Sequence, residues 1–250
     1  MSSVPKRALV TGGSAGLGAA SVGWLQAHGY EIVVLDRDRP WTGKTPVKFI
    51  RCDLVSRTEL DDVLPDLIAA GPYDLVLLNA GINATGKFEV LDPRAHIDVL
   101  RVNTEAPMVI AAALLESNAC RSGGAMVFVS SLSHFTGYPG AASYAASKDA
   151  LAIYAKSMRK YAASRGVTLT VAFPGPLKTD HAERHSPEGS DDSKRMDPDR
   201  AARLMLADAL AGKRNSIPGA DNRAFAVIGR LFPKPVTAVM RRLIYSRLKP

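Results

Sequence analysis

Short apolar runs alternate with longer amphipathic segments along most of the chain. The runs rich in β-branched residues lie at residues 7–10, 31–35, 47–51, 74–78, 125–129 and 167–173. Runs such as LVLL and MVFV lack polar alternation, which is typical of strands buried on both faces of a parallel sheet. Since parallel neighbours need helical crossovers, the pattern predicts a single-domain α/β chain with a Rossmann-type doubly wound parallel sheet.

Two segments depart from this alternation. The polar stretch 179–200 is too long for an ordinary connection, and loops of that length are usually lids or disordered. We expect Met196 and the segment around His185 to close over the site. The second segment is the C-terminal part, so we place a dinucleotide-binding and catalytic domain at residues 1–219, which includes this lid, and a helical tail at residues 220–250.

The net charge of +8 lies in the C-terminal segment 213–250, which includes the tail. Nine of the 32 basic residues and one of the 24 acidic residues lie at 213–250, so residues 1–212 have 23 of each. Two amphipathic stretches, separated by Pro233 and Pro235, predict a basic amphipathic helical extension. Apolar positions at helical spacing in the second stretch are Val236, Val239, Met240, Leu243, Ile244 and Leu248, and its basic positions are Arg241, Arg242, Arg247 and Lys249.

An apolar stripe flanked by arginine is typical of a helix at a membrane surface. Packing on the chain's own core or on a partner subunit produces the same pattern, so both interpretations stay open. Nucleic acid is not an expected partner, because the tail has no recognisable reading motif.

The stretch TGGSAGLG, residues 11–18, joins the first predicted strand to a helix. Gly12 would permit a tight turn, Gly16 would let the backbone approach a pyrophosphate, and Gly18 would let the helix pack on the strand. The alternative is an ordinary glycine-rich turn.

Asp36 ends the second predicted strand about twenty residues further on, where an acid can bind the adenosine ribose hydroxyls. A carboxylate there repels a 2′-phosphate, and Ala15 brings no positive charge, so NAD is favoured. Arg37 can accommodate that phosphate, which keeps NADP open. A turn or helix-capping role for Asp36 is the alternative.

The stretch YAASK, residues 144–148, places Tyr144 and Lys148 on one helix face. A neighbouring ammonium would lower the pKa of the tyrosine and make it useful in acid–base chemistry. Ser130 and Ser131 end the fifth predicted strand, so they bring a hydroxyl to the same sheet edge as the glycine-rich turn.

From about residue 6 to residue 219 the chain resembles the classical short-chain dehydrogenases/reductases. The motifs that carry the resemblance, in the family's order, are TGGSAGLG (11–18), DL (53–54), NAG (79–81), Asn103 in VNTEAP, Ser131, YAASK (144–148) and PGPLKT (174–179). The resemblance implies a catalytic tetrad of Asn103, Ser131, Tyr144 and Lys148. Ser131 is preferred to Ser130 because it lies thirteen residues before Tyr144, as the family's serine does.

The resemblance also implies a role for each member of the tetrad. Tyr144 would exchange a proton with the substrate oxygen, which Ser131 holds, while the nicotinamide exchanges the hydride. Lys148 would bind the nicotinamide ribose, and Asn103 would hold a water that links Lys148 to solvent. The implied cofactor-binding residues are Gly12, Ser14, Gly16, Leu17, Gly18, Asp36, Arg37, Asp53, Leu54, Asn79, Ala80, Gly81, Tyr144, Lys148, Pro174, Gly175 and Thr179.

Several of these cofactor positions have structural alternatives. Asp53, expected at the adenine, could cap a helix, and Asn79, expected with Gly81 beside the adenosine ribose, could be a strand-end amide. Thr179 and Gly175 are expected at the nicotinamide carboxamide.

The histidines have no metal-ligand spacing, so no metal is expected. His134, Phe135 and Tyr138 follow the serine-bearing strand, and we expect them to line the substrate cleft. Cys52 and Cys120 form no disulfide framework, and the chain shows no signal peptide or spanning segment. These features predict a cytoplasmic protein, peripheral to the membrane if the tail binds it.

The function expected is transfer of a hydride between NAD, or NADP, and a secondary alcohol or ketone, with a lipophilic substrate suggested by the tail. The alternative is a dinucleotide-sensing binding protein without turnover, against which the intact tetrad argues. The resemblance further implies a homodimer or homotetramer.

Overall fold

A computed structural model describes residues 5–39, 47–185, 193, 195–243, 245 and 248. Its seven-stranded parallel sheet has the order β3-β2-β1-β4-β5-β6-β7, which confirms the predicted doubly wound α/β class. The strands are β1 Lys6–Thr11, β2 Tyr30–Asp36, β3 Lys48–Arg51, β4 Tyr73–Leu78, β5 Cys120–Val129, β6 Thr168–Ala172 and β7 Asn215–Ser216. Six of these match the predicted runs, and β7 was not predicted.

Helices connect the strands and form the C-terminal tail. They are α1 Gly16–Ala27, α2 Arg57–Ala69, α3 Pro93–Leu100, α4 Ala106–Glu116, α5 Ala142–Ser164, α6 Asp180–Arg184, α7 Pro198–Leu210, α8 Ala220–Leu231 and α9 Pro233–Leu243. A π turn, Arg101–Glu105, joins α3 directly to α4, and a 3₁₀ turn, Leu132–Phe135, follows β5.

The sheet is buried on both faces, as its unalternating apolar strands predict. Alternate residues of β1 enter opposite layers: Leu9 packs with α2, α4 and α5, whereas Val10 packs with α1 and α7. Both side chains are fully buried. Helices on both faces leave the carboxyl ends of the strands as the open edge, where ligands bind in sheets of this topology.

The residues just before the predicted lid are held beside its C-terminal part. Met196 pairs with Leu177 in a parallel bridge, in which the Lys178 amide donates to the Met196 carbonyl at 2.9 Å and the Met196 amide donates to the Pro176 carbonyl at 3.0 Å. Residues 186–192 and 194 of the lid lie outside the described residues. The bridge therefore anchors this segment beside the turn that follows β6.

The tail folds back onto the 3₁₀ turn after β5. Ala226 of α8 is buried in the core, and a Cβ on Gly229 would overlap the Thr136 side chain, so α8 lies close against this turn. Thr237 of α9 donates a hydrogen bond to the Thr136 carbonyl. Residues 244, 246, 247, 249 and 250, which include the predicted apolar Ile244 and basic Arg247 and Lys249, lie outside the described residues.

The predicted apolar stripe of the tail faces two ways. Val236 and Met240 are partly buried, whereas Val239 is 56% exposed. Part of the stripe thus packs on the chain itself, which agrees with the interpretation that the tail packs on its own core. None of the described helices is long and apolar enough to cross a membrane.

Candidate active site

One large cleft of about 1390 Å³ runs along the carboxyl edge of the sheet. It brings together the glycine-rich turn after β1, the end of β2, the loop after β4, the serine turn after β5 and the segment after β6. All predicted site residues line it except Ser14, Gly18 and Asn103. Segments from most of the chain's length thus meet at one edge.

The glycine-rich turn owes its shape to glycines at crowded positions. Gly12 has a φ of +67°, and a Cβ there would lie 2.8 Å from the Ala80 Cα. A Cβ on Gly18 would overlap the Gly12 carbonyl oxygen. Only glycine lets α1 begin directly against β1, with its unpaired N–H groups at the edge of the cleft.

Asp36 both lines the cleft and fixes this turn. Its Oδ2 accepts a hydrogen bond from the Ser14 amide at 2.9 Å, and its Oδ1 accepts one from the Arg37 amide at 2.7 Å. No capping role on α1 is present, because Ala15 occupies that position without a side-chain bond. Arg37 also lines the cleft, with its side chain 60% exposed and paired to Asp38 at 3.3 Å.

Asn79 acts as a strand-end amide, as its structural alternative proposed. Its Nδ2 donates to the carbonyls of Thr11 and Gly12, both at 3.1 Å, and so holds the loop after β4 to the glycine-rich turn. Asp53 accepts from the Val55 amide at 3.0 Å, but the residue that caps α2 is Ser56. Both Asn79 and Asp53 still face the cleft.

Asn103 lies in the π turn between α3 and α4, fully buried. Its Oδ1 accepts from the Ile82 amide at 2.8 Å, and its Nδ2 donates to the Ile82 carbonyl at 2.9 Å and to the Ser147 hydroxyl at 3.0 Å. Ser147, which sequence reasoning missed, donates in turn to the Tyr144 carbonyl at 2.7 Å. Asn103 therefore positions the helix that carries Tyr144, and its predicted role with a water stays a prediction.

The two serines after β5 point in different directions. Ser130 is buried and donates to the Lys148 carbonyl at 2.8 Å, which ties β5 to α5. Ser131 faces the cleft and is hydrogen-bonded to Tyr144. The serine hydroxyl that reaches Tyr144 is thus that of Ser131, and its catalytic role stays a prediction.

Lys148 lies just behind this pair. Its side chain is 4% exposed, and its Nζ donates to the Val129 carbonyl at 2.9 Å and lies 5.9 Å from the centre of the Tyr144 ring. Burial lowers the pKa of Lys148 to about 8. The expected lowering of the Tyr144 pKa is not found: burial raises this pKa, and the hydrogen bond with Ser131 opposes the rise.

The segment after β6 forms the far wall of the cleft. Thr179 caps α6, with its Oγ1 accepting from the Ala182 amide at 3.2 Å, and its Cγ2 would lie 3.2 Å from a Cβ on Gly16. A Cβ on Gly175 would collide with Asn222 of α8, a wall residue that sequence reasoning also missed. No local pattern links Asn222 to Gly175, because they meet only in the folded chain.

The glycine positions leave a cradle that fits a nicotinamide dinucleotide. A Cβ on Gly81 would lie 3.2 Å from the Lys148 Nζ and 3.3 Å from the Asn103 Oδ1, so a side chain there would fill the cleft. The amide-rich turn at one end suits a pyrophosphate, and the Ser131–Tyr144 pair lies at the other end.

His134 does not lie where the sequence led us to expect it, whereas His185 does. His134 and Phe135 do not line the cleft: Nδ1 of His134 bonds Asp149, and its ring stacks on Phe173. The physical reason is the 3₁₀ turn, which rotates these two side chains away while Tyr138 remains at the cleft. His181 and His185 do face the cleft, and burial, with His185 and Lys148 nearby, lowers the pKa of His181 to about 4.

Across the part of the chain that the structure describes, no group of three or more metal-ligating side chains comes together.

Comparison with known proteins adds an independent line of evidence. The family model described as short chain dehydrogenase matches residues 6–189. An uncharacterized oxidoreductase of Myxococcus xanthus is 30% identical over 188 residues, 70% of this chain and 73% of that protein. The acetoacetyl-CoA reductase of Shinella zoogloeoides is 28% identical over 179 residues, 69% of this chain and 74% of that protein.

A solved structure supports the same fold. A short chain dehydrogenase from Burkholderia cenocepacia, in complex with NADP, aligns with a TM-score of 0.79 at 24% identity, covering 94% of this chain and 97% of the other.

Proposed function

Because this chain belongs to the short-chain dehydrogenase family of NAD(P)-dependent oxidoreductases, we propose that its cleft interconverts a secondary alcohol and a ketone. The observation that carries this proposal is the Ser131–Tyr144 hydroxyl pair, with the buried Lys148 behind it, in the same cleft as the glycine-rich turn. A protein that only sensed the dinucleotide would not need an acid–base group at this position.

The chain's own residues would divide the work as follows. A nicotinamide cofactor bound along the carboxyl edge supplies or accepts the hydride. Ser131 binds the substrate oxygen, and Tyr144 gives that oxygen a proton in reduction or takes one in oxidation. The Lys148 ammonium favours the phenolate form of Tyr144 when the tyrosine gives up its proton. Asn103 and Ser147 hold the helix in position through their hydrogen bonds.

For the cofactor we propose NAD as the preferred form and NADP as the alternative. Asp36 at the cleft favours ribose hydroxyls over a 2′-phosphate, and Ala15 adds no positive charge. Arg37 beside it, and the NADP in the Burkholderia structure, support the alternative. The residues proposed to hold the dinucleotide are the cofactor-binding residues that the family resemblance implies, from Gly12 to Thr179.

For the substrate we propose a lipophilic alcohol or ketone. The cleft beyond Tyr144 is lined by Leu132, Tyr138, Phe225 and Met240, which offer apolar surface. The Shinella relative is named for a reduction of a 3-oxoacyl thioester, so a ketone on an acyl chain is compatible with this wall.

We further propose a homodimer or homotetramer that works in the cytoplasm. The outer face of α5 exposes Ile153 and Tyr161, which would be covered by a second copy. Burial raises the pKa of the Cys52 thiol to about 11 and that of Cys120 to about 12, so both free cysteines suit a reducing compartment.

The test is Tyr144→Phe, which removes the hydroxyl and keeps the ring. We expect kcat to fall by at least about a hundredfold, the usual contribution of a general acid–base group. Titration by NADH fluorescence should still show cofactor binding. Turnover close to wild type would refute the proposed chemistry, and cofactor binding without turnover in the wild-type protein across secondary alcohols and ketones would favour the sensing alternative.

A further inference from the structure

The outer side of the tail exposes a group of large apolar side chains among basic ones. We call this group the tail surface: its apolar residues are Val227, Ile228, Leu231, Phe232 and Val239, and its basic residues are Arg223, Arg230, Lys234, Arg241 and Arg242. Leu231 is 66% exposed and Phe232 is 58% exposed, so they protrude where α8 turns into α9. Such a concentration of protruding apolar side chains marks a contact surface.

The opposite faces of the same helices are already in use. Ala226 and Gly229 pack into the core and against the 3₁₀ turn, and Thr237 is bonded to Thr136. This packing fixes which side of each helix faces outward. The tail surface cannot be buried by rotating α8 or α9 without breaking these contacts.

We propose that the tail surface docks on a lipid bilayer rich in acidic headgroups. The charge balance carries the proposal: residues 213–250 have nine basic residues and one acid, Asp221, while the rest of the chain is balanced. Basic side chains that surround apolar ones match an anionic interface, where their alkyl stems follow the acyl chains and their charges reach the headgroups.

A second copy of this chain is the less suitable occupant. A two-fold contact would bring the same residues of both copies together, so the basic side chains of the two tails would face one another. Like charges brought together in this way repel, which a contact with anionic lipid avoids.

The position of the tail surface connects it to the cleft. Asn222 and Phe225 of α8 and Met240 of α9 line the cleft from the inner faces of these helices. A docked protein would therefore hold a wall of its cleft against the bilayer, from which a lipophilic ketone could enter. This last step rests on the proposed function, whereas the docking does not.

The experiment is co-sedimentation of the full-length protein with vesicles of phosphatidylcholine alone or with one third phosphatidylglycerol. We expect binding to the acidic vesicles only, and at least tenfold weaker binding in 0.5 M salt. Leu231→Ser/Phe232→Ser and Lys234→Glu/Arg241→Glu should each weaken binding at least tenfold. The matched controls, Leu210→Ser and Lys48→Glu/Lys160→Glu, change exposed residues outside the tail and should bind like wild type.

Each result decides the proposal separately from the enzymatic activity. Circular dichroism and NADH binding without vesicles show that every variant is folded, so lost docking cannot be mistaken for lost structure. No binding by the folded wild type, or equal loss in the controls, overturns the proposal. A change of oligomeric state in Leu231→Ser/Phe232→Ser with vesicle binding intact would assign the surface to subunit contact instead. Docking without turnover keeps the proposal and refutes only the proposed function.

Discussion

Replacing Lys148 by methionine should stabilise the cofactor-free protein while it removes turnover. The ammonium is buried, and burial lowers its pKa from 10.5 to about 8. The buried charge therefore lowers the free energy of unfolding, because the unfolded chain leaves the ammonium in water. Methionine fills a similar space without a charge.

The size of the effect follows from this pKa. At pH 7 the difference between folded and unfolded values corresponds to about 3 kcal/mol, at about 1.4 kcal/mol per pH unit. The hydrogen bond from Nζ to the Val129 carbonyl returns about 1 kcal/mol, so Lys148→Met should gain about 2 kcal/mol. Between pH 8 and pH 10.5 the unfolded state binds more protons, so wild-type stability rises with pH, and at pH 9.5 the gain should shrink to about 0.5 kcal/mol.

Urea unfolding of both proteins at pH 7 and pH 9.5 measures these free energies. Lys160→Met is the matched control, because Lys160 is an exposed lysine on the same helix and its replacement removes no buried charge. The reasoning is refuted if Lys148→Met is less stable than wild type at pH 7, or if its advantage is the same at both pH values.

Two further predictions concern the cofactor and the serines. Asp36→Ala should weaken NADH binding about tenfold, because one charge-assisted hydrogen bond is lost, and it should narrow the preference for NADH over NADPH. Fluorescence titration with both cofactors measures these affinities. A wild-type protein that prefers NADPH would show that Arg37 dominates. Ser131→Ala should lower kcat about a hundredfold or more and should also weaken the cap of the 3₁₀ turn, where Ser131 accepts from the Ser133 amide. Ser130→Ala should mainly lower the free energy of unfolding, by about 1–2 kcal/mol, because a buried hydrogen bond is lost. Turnover and urea unfolding of both serine variants test the assignment, which would be wrong if Ser130→Ala were the variant with the greater loss of kcat.

The strands and the main motifs could be predicted because their signals are local. Uninterrupted apolar runs mark β1, β2 and β4, and the glycine-rich turn and YAASK each lie within eight consecutive residues. β7 has two residues, Asn215–Ser216, and so short a polar strand has no periodicity to detect.

The remaining features depend on contacts between distant parts of the chain. The π turn at Asn103 follows from bonds to Ile82 and Ser147, and a helical pattern does not reveal it. The spacing of YAASK correctly predicts a lysine near Tyr144, but it does not reveal that Tyr144 is buried. This burial raises the pKa of Tyr144, which the lysine was expected to lower. The prediction that His134 lines the cleft was wrong because residue spacing does not reveal the 3₁₀ turn that carries it.

The contact between Gly175 and Asn222 has a consequence for how the protein is made. The glycine-rich turn and the β4 loop leave the ribosome early, but the side chain that completes the opposite wall of the cleft belongs to α8, near the end of the chain. Synthesis adds about 5–20 residues per second, and a domain generally folds as a unit. Asn222 leaves the ribosome several seconds after the glycine-rich turn, so the cleft gains its last wall only when synthesis is nearly finished.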